Sequence, residues 1–195
     1  MSILLSFLKF AVLATLGEII ALRMRTGKFI QKDFGILPRA IVWGLFGIVI
    51  ALAFVLFSTG TPALLASLGW KNADIALAAV GFSWEKLCVA FCVSVAMNTI
   101  FAPVFMSFHK ITDMHIARYN GSMRCFLHPI DITRSFRELN WERQWSFVFK
   151  KTIPLFWYPA HTITFMLPAD WRVLFAALLS VALGILLAIE GRKAN

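Results

Sequence analysis

Charge is scarce in this sequence, and acid is scarcer than base. Ten Asp and Glu stand against 19 Lys and Arg, and charged residues make up only 15% of 195 positions. Soluble domains carry about a quarter, so a water-facing globular surface is excluded. Cysteine is equally sparse. The 3 cysteines cannot all pair, and Cys88 and Cys92 lie inside an apolar run, as small buried hydrophobes do, rather than as a disulfide framework or metal site. The pattern of a cleavable leader is also missing: no basic segment precedes the first apolar run and no small-residue cleavage pattern follows it, so the first span is expected to be retained. No nucleophile stands beside a base and no paired catalytic carboxylates appear. The chain is therefore not expected to be an enzyme, and no cofactor or metal is expected. His109, Asp113 and His115 come nearest to a metal set, but no third strong ligand stands at a suitable spacing.

What is present is apolar: 59% of residues are hydrophobic and the mean hydropathy is +0.76. That composition describes an integral membrane protein. The expected architecture is a single all-α, polytopic membrane domain of four to five spans, near 3–22, 36–58, 87–108, 147–167 and 173–189. An amphipathic surface helix is expected near 131–145, where Ile132, Phe136 and Leu139 recur on one face. Pro62–Gly69 and Ile75–Phe82 are too short to span and read as interfacial or re-entrant pieces. Five basic residues against Asp33 give the 23–39 loop a net +4, and eight against four give 109–151 the same value. With five spans both loops and the basic tail share one side, which the positive-inside rule makes cytoplasm-like. The same rule accounts for the overall +9 without nucleic acid, which is not expected as a partner.

Small residues recur along three spans. Gly44 and Gly47 on the second, Ala90, Ser94, Asn98 and Ala102 on the third, and Ala176, Ser180 and Gly184 on the last make flat faces for close helix packing. Glu18 lies near the end of the first span, where a carboxylate is costly unless paired, hydrated or at the interface beside Arg23. Pro103, just after Asn98, is placed to kink the third span. The stretch from Phe147 to Arg172 is the most unusual, apolar yet carrying Pro154, Pro159 and Pro168. Its Trp157, His161 and Thr164 fall at i, i+4 and i+7 on one helical face, either a buried polar seam or the lining of a path.

These residues resemble the family of the twenty-two-kilodalton peroxisomal membrane protein and its inner-mitochondrial relative Mpv-seventeen. Gly17-Glu18-Ile-Ile-Ala resembles that family's Gly-Asp-x-x motif. Ile100-Phe101-Ala102-Pro103 resembles its Phe-Ala-Pro motif, with Met97-Asn98 where the family has Asp-Gln. Trp157, His161, Thr164, Phe165, Pro168, Trp171 and Arg172 resemble its Trp-Pro-x-x-Gln-x-x-Asn-Phe, Val-Pro and x-x-Tyr-Arg elements, with His161 and Thr164 in place of glutamine and asparagine.

The resemblance implies a small helical protein of an organelle membrane, mitochondrial inner or peroxisomal, while the lack of a recognisable targeting segment leaves a bacterial plasma membrane open beside it. It implies a weakly selective channel for small solutes, with Glu18, Asn98, Trp157, His161, Thr164 and Arg172 in a central polar seam. In a channel, His161 would make conduction respond to pH. The alternative is a non-conducting scaffold that acts through its basic loops. The expected partners are the bilayer and small solutes, with a homo-oligomer left open.

Overall fold

The computed structural model describes residues 2–193, with side chains to residue 185. Every regular element among them is helical. Helix α1 (Ile3–Thr26) and helix α2 (Ile36–Ser67) contain windows of mean hydropathy 2.0 and 2.8 and are long enough to cross a membrane. Helix α3 (Ala73–Ala76) is a single turn. Helices α4 (Trp84–Ile100) and α5 (Ala102–Arg118) meet the same test only as a pair, bent by 46° where they join. Pro103 lies two residues past the break: it has no N–H to give, and its ring crowds the preceding turn. Among the described residues there are thus two candidate spans, or three if the bent pair is one. Large apolar side chains stay exposed along them, Val12 at 63% and Leu56 at 66% among others, as lipid-facing residues would.

Two expected boundaries are corrected. The second helix does not stop near residue 58; it runs through Pro62 to Ser67. What ends it is Gly69, at φ +100, where the Gly69 N–H reaches the Ala66 carbonyl and the Trp70 N–H the Leu65 carbonyl. That paired closure needs a left-handed residue, which glycine adopts without strain. So Pro62–Gly69 is the end of a long helix rather than a separate interfacial piece. The surface helix expected at 131–145 is two short helices, α6 (Ile132–Glu138) and α7 (Trp141–Arg143). Asp131 caps the first through the Arg134 N–H, and Asn140 starts the second by accepting the Arg143 N–H, both at 2.9 Å. A second N-cap within the stretch interrupts the periodic pattern.

From Gln144 to Trp157 the chain is π-helical, and the Tyr158 N–H bonds back five residues to Ile153. Pro154 sits inside this wider helix. Helix α8 (Tyr158–Met166) follows, and after the turn at Pro168 comes α9 (Ala169–Lys193).

The chain divides into two compact units. One comprises the residues up to Val49, Phe108–Leu139 and the residues from Val173 on; the other comprises Ile50–Ser107 and Asn140–Arg172. In the first unit the small-residue faces pack as their spacing suggests. A methyl carbon added at Gly47 would lie 2.6 Å from the Phe10 Cβ, and one at Gly184 would lie 3.0 Å from the Gly17 carbonyl oxygen. Gly17 in turn lies so close to α9 that an added carbon would meet the Val181 Cα at 2.8 Å. Ala176 is buried, and the Ser180 hydroxyl bonds its carbonyl within the helix. In the second unit α4 packs along α8, with Val89, Ala90, Val93 and Phe165 fully enclosed.

Candidate functional site

In the first unit, three helices bring their ionisable side chains to one place. Glu18 comes from α1, Arg39 and Trp43 from adjacent turns of α2, and His109 and Asp113 from adjacent turns of α5. The spacing of four within each pair puts both members on one face. One Arg39 Nη1 donates to both carboxylates, reaching Glu18 Oε2 at 2.9 Å and also Asp113 Oδ1. Arg39 Nε donates to the Phe34 carbonyl at 2.8 Å, and the guanidinium lies over the Phe34 ring. The other Glu18 oxygen accepts from Trp43 Nε1 at 3.0 Å and lies 3.3 Å from His109 Nε2. His109 packs at a tilt against Trp43 with ring centroids 4.5 Å apart, and its Nε2 is 3.9 Å from Asp113.

Side chains of Glu18, Arg39, His109 and Asp113 remain 13–24% exposed, so the cluster is set into apolar helices without being fully enclosed. With His109 protonated its charges cancel, and with His109 neutral it carries one net negative charge. Ligand atoms of Glu18, His109 and Asp113 lie within 4.8 Å of one another, a set able to hold a cation. The strong third ligand missing beside His109 and Asp113 in the sequence is supplied by Glu18, whereas His115 turns away and bonds the Cys125 carbonyl at 2.8 Å. Arg39 already supplies one positive partner at this place.

The other residues singled out in the sequence lie in the second unit. Asn98 Nδ2 donates to the Ser94 carbonyl at 2.8 Å, which leaves its Oδ1 to accept from His161 Nδ1 at 3.0 Å. Because an amide oxygen only accepts, the imidazole proton must sit on Nδ1. The Ser94 hydroxyl donates to the Tyr158 carbonyl at 2.8 Å, and the Thr164 hydroxyl to the Ala160 carbonyl at 2.9 Å. Ser94, Asn98 and Thr164 are at most 1% exposed, and Phe54, Trp157 and Phe165 surround the His161 ring. Among the described residues, Trp157 Nε1 is buried without a partner. Arg172 bonds the Leu167 and Phe165 carbonyls.

The six expected seam residues are therefore divided. Asn98 and His161 join a buried hydrogen-bonded chain with Ser94, Thr164 bonds the Ala160 carbonyl of its own helix, Trp157 flanks the His161 ring, and Arg172 is engaged by backbone. Glu18 belongs to the ionic cluster of the first unit. Arg39 and Trp43 were not singled out in the sequence. The available signal was the need of an intramembrane carboxylate for a cation, met by the arginine that opens the second span. No family model, curated protein or solved structure matches this chain.

Proposed function

We propose that the chain is a polytopic membrane protein of four to five spans that passes small solutes with weak selectivity, as its resemblance to the Mpv-seventeen family implies. The observation that carries the reading is the cluster of Glu18, Arg39, His109 and Asp113. Helices that only had to adhere would be served as well by apolar side chains, because replacing buried ion pairs with hydrophobes is often neutral or stabilising. Ionisable groups kept within membrane helices are by default functional. Glu18 and Asp113, balanced by Arg39 and His109, suit contact with small polar or charged solutes. Selectivity would then rest on width and on these few groups. The membrane is a bacterial plasma membrane or an organelle membrane.

A second reading, the non-conducting scaffold, is favoured by a different observation: Asn98 pairs with His161 and Ser94, while the Ser94 and Thr164 hydroxyls bond the Tyr158 and Ala160 carbonyls, all within the buried interior. A conducting state that used this seam would have to open it. Liposome flux with neutral and charged solutes of graded size separates the two readings. Size-limited flux above that of liposomes bearing an unrelated helical protein, with charge preference altered by Glu18→Gln, supports the channel. No flux at any pH from correctly inserted protein refutes it in favour of the scaffold.

A further inference from the structure

Lys86 and Arg172, both in the second unit, are only 6% and 9% exposed, yet neither takes part in an ion pair among the described residues. Lys86 Nζ donates to the carbonyls of Ala79 at 2.7 Å and Gly81 at 3.5 Å. Arg172 donates from Nε to Leu167 at 3.0 Å and from Nη2 to Phe165 at 3.2 Å, with its guanidinium carbon 5.6 Å from the Phe165 ring centroid. These bonds satisfy donors, but they end on neutral oxygens. Taking a charge out of water is costly, and a partner of opposite charge offsets that cost further than neutral oxygens do.

Both cations line one cavity of about 810 Å³, formed by Ser58 within α2, Asp74 of α3 and the loop after it, Lys86 of α4, and the turn between α8 and α9. Most of the remaining lining is apolar, including Phe82 and Met166. The loop beside it holds Val80 fully exposed and Phe82 at 65%, and Trp84, which opens α4, is 74% exposed. Apolar and aromatic side chains in such a loop belong at the headgroup level of a bilayer. Asp74, the single acid in the lining, is exposed and bonded to neither cation.

We propose that this cavity binds an anionic amphiphile, its carboxylate or phosphate held between Lys86 and Arg172 and its apolar chain lying against Phe82 and Met166. Charge and apolar lining together select such a ligand over a free inorganic anion or a zwitterionic lipid. The inference does not depend on conduction.

The test uses the full chain in a neutral maltoside detergent, with retained adducts counted by native mass spectrometry during titration with oleate, phosphatidylglycerol, phosphatidylcholine or inorganic phosphate. Oleate or phosphatidylglycerol should be retained at least tenfold better than phosphatidylcholine, and whichever of the two is preferred names the source, a free fatty acid or a membrane lipid. Lys86→Gln should weaken that retention about tenfold, the scale of a lost charge-assisted hydrogen bond. Ala78→Trp, which fills the cavity and removes no charge, should abolish it and decides the matter where Lys86→Gln does not fold. Asp74→Asn should strengthen it. Equal retention of phosphatidylcholine, anionic binding unchanged in both Lys86→Gln and Ala78→Trp, or binding of phosphate in place of the amphiphiles would each overturn the assignment.

Discussion

Replacing Arg39 with methionine removes the guanidinium that donates to both carboxylates of the ionic cluster. The substitution keeps the apolar stem roughly in place, so the loss is one of charge and donors. Three contacts disappear: the bonds to Glu18, Asp113 and the Phe34 carbonyl. A hydrogen bond to a charged group is worth about 1.5–3 kcal/mol net, and stranding the partners of a buried ion pair costs about 3–5 kcal/mol. Exposure of 13% on Arg39 and 18% on each carboxylate screens part of this. The expected destabilisation of Arg39→Met is about 3 kcal/mol. Arg39→Lys should lose about half as much, since an ammonium serves as a point charge but cannot reproduce the fork that reaches both carboxylates and the backbone.

The assay is reversible unfolding of the purified protein in mixed micelles, followed by Trp fluorescence. Adding Glu18→Gln to Arg39→Met removes one stranded charge, so the double variant should be more stable than additivity predicts by about 1–2 kcal/mol. A loss below about 0.5 kcal/mol for Arg39→Met, with no coupling to Glu18, would place the cluster in fully screening water. The ionic cluster would then carry no functional argument.

Two further predictions rest on separate features. Gly17→Leu forces a side chain into the space held by the α9 backbone, where even a single added carbon meets the Val181 Cα at 2.8 Å. It should cost about 2–3 kcal/mol in the same assay, and an unchanged midpoint would show that α1 and α9 do not approach so closely. Outside the spans, hydrogen bonds from Arg134 and then Arg118 hold the Glu138 carboxyl below its ordinary 4.5. A lowered folded value means that the contribution is complete above the unfolded value and is lost as pH falls through the folded one. Hydrogen exchange over Ile132–Glu138 should therefore speed up below about pH 4.5 in the wild type. In Glu138→Gln it should be faster at neutral pH and lose that acid step; identical pH profiles would show that the pair does not order this helix.

Membrane class and helical character were legible in the sequence because both depend on local quantities, the length of apolar runs and the shortage of charge. The small-residue faces at Gly44, Gly47 and Gly184 were legible for the same reason, since helical periodicity decides which residues share a face before any partner is known. The end of α2 could also be read locally, but in Gly69 rather than Pro62. A left-handed closure stops a helix, whereas a proline late in a long apolar helix can be absorbed.

Partners across helices were a different matter. Glu18 announced that it needed a cation, but the choice of Arg39 over the adjacent Arg23 is made where α1, α2 and α5 converge, between residues 21 apart in the chain. Asp113 is 74 residues from Arg39, a separation over which no periodic pattern carries information. Polar spacing alone also left open whether Asn98, His161 and Thr164 line a path or close a seam. Only the approach of α4 to α8 brings His161 onto Asn98 and the Tyr158 carbonyl onto the Ser94 hydroxyl, and leaves Ser94, Asn98 and Thr164 at most 1% exposed.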